Sequence, residues 1–147
     1  MTEQINYHTL DHDTLNANTL FTDYGAQTIV DMLNGINIAA HVCNNEAVTA
    51  GWWEMGAKNR NKGEQLALIH SEISEALEGA RKGICDDHLP KRLMEEVELA
   101  DALIRIFDYA MGHNLDVAGA LVEKLQYNRD RADHKRENRA KEGGKKF

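Results

Sequence analysis

A single proline, Pro90, stands in 147 residues, so helices meet few built-in breaks. No apolar run approaches the roughly 20 residues that a membrane span requires, and no membrane partner is expected. Cysteine is scarce too. Cys43 and Cys85 build no disulfide framework and lack the CxxC spacing of a metal clip. Reduced thiols in a cytoplasmic setting are the expectation, and the opening Met-Thr-Glu-Gln carries no signal-peptide pattern. Period-two alternation is nearly absent, which argues against a sheet. Positive charge is short over most of the chain. Residues 1–121 hold 8 Lys/Arg against 19 Asp/Glu, a balance of −11, whereas residues 122–147 hold 9 against 5, a balance of +4. So acidic a body does not suit nonspecific nucleic-acid binding, and no nucleic-acid partner is expected. A basic C-terminal segment beside an acidic region suits a small polyphosphate, although by itself such a segment is more often a solvated helix tail.

What is present is helical periodicity. With 42% hydrophobic and 28% charged residues, the chain has the composition of one globular domain. The expected class is all-α, with helices over about 27–50, 62–82, 87–112 and 114–141. Gly83 is a natural C-terminal cap for the second, Pro90 is tolerated in the first turn of the third, and Asn114 and Asp116 are good N-caps for the fourth. Residues 1–26 show no sustained period and read as a loop or docking segment. The helical domain then occupies 27–142, with a tail at 143–147. The Cys85-Asp86-Asp87-His88 stretch joins the second and third helices closely enough to make them antiparallel neighbours. The third is apolar on most sides (Leu93, Val97, Leu99, Ala100, Leu103, Ile104, Ile106, Phe107), more than a small monomer can cover. Homo-oligomerisation is expected to bury it.

Two carboxylate pairs interrupt these apolar helices: Glu72/Glu75 and Glu98/Asp101. A spacing of three places each pair on one helix face. A solvated acidic face is the ordinary explanation, but such faces tend to carry Lys or Arg at i±4. Only Asp101 finds one, Arg105. Four acidic oxygen donors on two neighbouring helices fit a hard divalent cation, Mg²⁺ first and Mn²⁺ as a substitute. Lys124, Asn128 and Arg131 recur at i, i+4 and i+7 on the fourth helix and offer a face for phosphates. Trp52 or Trp53 offers a stacking surface, with a core plug or oligomer anchor as the alternative; Asn34, Asn37 and Asn44 offer amide contacts or form an ordinary exposed polar face; Lys58, Arg60 and Lys62 offer positive charge before the second helix. His70 has no partner at metal spacing, and Asp11-His12-Asp13 reads as a turn.

Glu72-x-x-Glu75, a spacer of 22 residues and Glu98-x-x-Asp101 resemble the signature of the MazG-like, all-α nucleoside triphosphate pyrophosphohydrolases. Gly51-Trp52-Trp53 and the tail Lys124-Leu-Gln-Tyr-Asn128-Arg-Asp-Arg131 with Gly143-Gly-Lys-Lys-Phe147 look like phage-type members of that group. The likeness covers about residues 30–147. One departure stands out: the family's paired glutamates are Ser71-Glu72 here. The resemblance implies a four-helix bundle with two central metal-binding helices, completed as a dimer or tetramer. It also implies Mg²⁺-dependent hydrolysis of (deoxy)nucleoside triphosphates to the monophosphate and pyrophosphate. Glu72, Glu75, Glu98 and Asp101 would be the ligands, Glu75 also the base, and Lys124, Asn128, Arg131, Trp53, Asn37 and Lys62 the substrate contacts. A purine-preferring enzyme acting in the host cytoplasm for a phage is one form of this expectation. The alternative class is a non-enzymatic helical module binding a metal or a partner.

Overall fold

The computed structural model describes residues 19–143. The Asp11-His12-Asp13 triplet and tail residues 144–147 lie outside the described residues. Among these residues the fold is all-α, with six helices and no strand. They are α1 (Thr19–Tyr24), α2 (Ala26–Thr49), α3 (Lys62–Lys82), α4 (Met94–Gly112), α5 (Val117–Asp130) and α6 (Arg136–Arg139), with 3₁₀ turns at Ala57–Asn59 and Ala132–His134. No helix among them is long and apolar enough to cross a membrane. Contacts divide the chain into two compact units, Met1–Asn37 with Asp116–Phe147, and Ile38–Leu115.

In the first unit α1 packs on α5 around Leu20, Ile29 and Val122, with Met32 and Leu33 against them. The Leu20 amide donates to Gln126 Oε1 at 3.1 Å, and Arg129 pairs with Asp23. Asp116 caps α5 by accepting from the Gly119 amide at 2.8 Å. The helix expected to reach about residue 141 stops at Asp130. Arg131 turns extended and holds Asp133 through two bonds of 2.9 and 2.6 Å. Residues two apart do not face each other on a helix, so this pair and a continuing helix exclude one another.

In the second unit α3 and α4 form the main packed pair. Asn61 opens α3, its side chain accepting from the Gly63 and Glu64 amides; Gly83, at φ 61, closes it. α4 begins at Met94, later than the expected residue 87, because the connection has its own hydrogen-bond closure. Asp86 Oδ1 accepts from the His88 and Leu89 amides, Asp86 N donates to Arg92 O, and Met94 N donates to Ile84 O. Pro90 therefore sits in a closed loop, outside the first helical turn. Side-chain and close backbone contacts pair Gln65 with His113, Glu72 with Arg105, and Gly79 with Glu95.

What lines this seam is unusual. The buried residues of α3 are Gln65, Glu72, Ala76 and Gly79, and those of α4 are Glu98, Ala102 and Ala110. Small side chains let the helices approach closely; a Cβ at Gly79 would lie 2.8 Å from the Glu95 amide nitrogen. The large apolar residues Leu66, Ile73 and Leu77 of α3, and Leu99, Leu103 and Ile104 of α4, remain exposed.

Candidate metal centre

The close seam brings acidic side chains from two helices to one place. Glu72, Glu98 and Asp101 each offer a carboxylate oxygen within 4.8 Å of the others, a group that could hold a metal ion. Oxygens facing each other across Mg²⁺ stand about 4.2 Å apart, and across Ca²⁺ up to about 5 Å, so the spacing is of the size that a shared hard cation requires. Glu72 and Glu98 are buried, at 6% and 8% exposure, where water cannot solvate their charge freely. Burial pushes the Glu98 carboxyl above the usual range, and Glu75, a hydrogen bond with Glu72, and the charges of Glu72 and Asp101 push it further. A carboxyl raised by burial and by like-charged neighbours is one whose ionised form a bound cation would favour.

Glu75 stands differently from the other three. It is exposed and outside the converging group, although its charge is the foremost of those raising Glu98. Ser71, where the resembling family carries a glutamate, donates from its hydroxyl to Leu68 O at 2.7 Å. Arg105 departs from its expected i+4 partner, Asp101. Its Nε donates across the seam to Glu72 Oε1 at 2.6 Å. The sequence places Arg105 on the right helix, but only the packing of α3 on α4 shows which carboxylate it meets.

Farther along the same seam, Trp53 is a docked side chain. Its indole Nε1 donates to Asp108 Oδ1 at 2.7 Å, and Asn44 Nδ2 donates to the same oxygen at 2.8 Å. Arg60 lies over the ring at 4.9 Å, and His113 meets the ring edge at a centroid distance of 5.5 Å. Gly112 makes the room, since a Cβ there would fall 2.1 Å from the indole. Trp52 is 67% exposed and is therefore the freer stacking surface. Asn44 is committed to Asp108; Asn34 is exposed and Asn37 half-buried on α2. Tyr109 and Gln65 complete the surroundings of His113, whose Nε2 lies 2.8 Å from Gln65 Oε1. Burial, then Lys62 and Arg60, lower the His113 pKa, against an opposing pull from Asp108. Burial and Asp108 raise the Cys43 thiol, which makes it a poor nucleophile. Asp108, His113, Gln65 and Gly112 carry no motif that would single them out in the sequence.

In the first unit, Lys124 Nζ lies 4.4 Å from the Tyr127 ring centroid, and the Arg131 guanidinium lies 5.6 Å from it. Because α5 ends before Arg131, this group is not the regular stripe expected of a continuous helix. The Arg131–Asp133 bonds occupy part of that guanidinium and hold the Asp133 carboxyl below its usual range. Asn128 Oδ1 is buried with no partner among the described residues. Comparison with protein-family models, with curated proteins and with solved structures finds no match for this chain, so the family likeness rests on its motif residues alone.

Proposed function

We propose that this chain is a MazG-like, Mg²⁺-dependent hydrolase of (deoxy)nucleoside triphosphates, releasing the monophosphate and pyrophosphate. The observation that carries the reading is the meeting of Glu72 with Glu98 and Asp101 across two helices. These are three of the four carboxylates that the sequence spacing singles out. Phosphoryl chemistry asks for positioning and charge neutralisation more than covalent help. A bound Mg²⁺, with Mn²⁺ as substitute, would supply that neutralisation and a more acidic water. Glu72, Glu98 and Asp101 would hold the cation. Glu75, exposed beside them, is the proposed acceptor of the water's proton. Phosphate contacts are proposed for Lys124, Asn128 and Arg131 on the resemblance of the tail motif alone, and Lys124→Ala is expected to raise KM. Trp52, rather than the anchored Trp53, is the proposed stacking surface for the base.

The proposed architecture is a four-helix bundle with α3 and α4 as an antiparallel central pair. The reversed order of their contacts, 65 with 113, 72 with 105 and 79 with 95, supports it. The exposed Leu66, Ile73, Leu77, Leu99 and Leu103 support self-association as a dimer or tetramer, because a small unit leaving such side chains in water lacks a sufficient core. A cytoplasmic setting is part of the proposal, and the free thiols of Cys43 and Cys85 are compatible with it.

The test is pyrophosphate release from the eight common NTPs and dNTPs, with and without Mg²⁺. Glu98→Gln is expected to abolish turnover while helicity by circular dichroism is retained. The second reading, a helical module without activity, draws on the Arg105–Glu72 pair, which already neutralises part of the acidic group. Release of no pyrophosphate from any of the eight nucleotides would decide for it.

A further inference from the structure

We infer that Arg105 is a resident counter-cation of the acidic group and competes with divalent metal for Glu72. The inference rests on the metal-site reading above and adds to it a built-in antagonist. Arg105 is spaced for Asp101, one turn before it on α4, yet its Nε reaches across to Glu72 Oε1 at 2.6 Å. The two partners differ in how readily they move. The Glu72 side chain is 8% exposed and held in the seam, whereas Arg105 is 43% exposed and can swing into solvent. A guanidinium donates hydrogen bonds and cannot lose its proton, so it occupies a carboxylate oxygen without ever becoming a ligand itself.

With Glu72, Glu98 and Asp101 sharing one small volume, the metal-free chain needs positive charge there, and Arg105 supplies it. A divalent cation held by Glu72 would take over that role. It would also repel the guanidinium and weaken its bond to Glu72. The metal-free fold is thereby stabilised at the expense of metal affinity, and the released guanidinium becomes available to an anion carried by the metal.

The test is Mn²⁺ titration of the metal-free full chain, read from the spin-resonance signal of the free ion, for wild type, Arg105→Gln and Arg105→Lys. Removing the charge is expected to tighten Mn²⁺ binding on the order of tenfold. Arg105→Lys is expected to bind as wild type does, and Arg105→Gln to melt at lower temperature than wild type without metal. Unchanged or weaker binding by Arg105→Gln, beside a wild type that binds, would show Arg105 to be a strut for Glu72 and overturn the inference. Binding by neither would remove the metal-site reading, and the inference with it. Should Arg105→Gln fail to fold, the wild-type Arg105 Nε–H resonance, identified by its absence from Arg105→Lys, decides the matter. It is expected to shift and exchange faster as Mg²⁺ saturates the site. A resonance unmoved at saturation would overturn the inference.

Discussion

Replacing Gly79 with alanine tests whether close approach of α3 and α4 builds the acidic group. A Cβ at that position would stand 2.8 Å from the Glu95 amide nitrogen and 3.0 Å from the Met94 Cβ, where ordinary contact begins near 3.4 Å. The obstacle includes backbone, so the start of α4 must retreat by roughly 0.6 Å, the difference between 3.4 and 2.8 Å. Overpacking of this kind costs about 1–3 kcal/mol. Alanine returns about 0.5–1 kcal/mol through its better helix propensity. Taking the middle of each range, the expected balance is a loss of about 1 kcal/mol, read as a lower urea midpoint by far-UV circular dichroism with an unchanged slope. Glu98 lies one turn beyond Met94 and Glu95 and moves with them, away from Glu72. Weaker Mn²⁺ binding is therefore expected to accompany the lost stability. A Gly79→Ala chain as stable as wild type, or more so, would refute the close seam on which the site depends.

Asp108→Ala removes the shared acceptor of Trp53 and Asn44. Leaving the Trp53 donor unpaired, and Asn44 with only the Asp108 backbone carbonyl at 3.5 Å, is expected to cost about 1–3 kcal/mol, with a red shift of tryptophan emission as Trp53 loosens; unchanged emission would mean that the ring is held otherwise. His113 predicts a pH dependence of stability. Its pKa is lowered on folding, so its contribution is complete above the unfolded value of about 6.5 and is lost as pH falls from there toward the folded value. The melting temperature of wild type is expected to fall more between pH 7.5 and 5.5 than that of His113→Gln, and equal falls would refute this. Asn61→Ala, which removes the side-chain cap of α3, is expected to cost about 0.5–2 kcal/mol by urea unfolding.

The all-α class was legible because one kind of signal runs through the chain from about residue 27 onward. Apolar residues recur at helical spacing, one proline interrupts them, and Gly83 and Asp116 mark ends that the structure also uses. The bounds of α3 follow from its caps. The starts and ends that differ were set by closures with no periodic trace: Asp86 and the hydrogen bonds around it delay α4, and the Arg131–Asp133 pair ends α5.

By itself the sequence determined which carboxylates share a helix face, because residues three apart must lie together on any helix. Tertiary packing alone decided which faces meet. Small residues at Ala76, Gly79 and Ala102 bring α3 and α4 close enough for Glu72 to join Glu98 and Asp101, while Glu75 is left at the exposed edge. The same packing turned Arg105 from its neighbour on α4 toward Glu72, and fixed Trp53 over Gly112. Spacing along one helix is a local property, but a distance between two helices depends on every side chain that separates them.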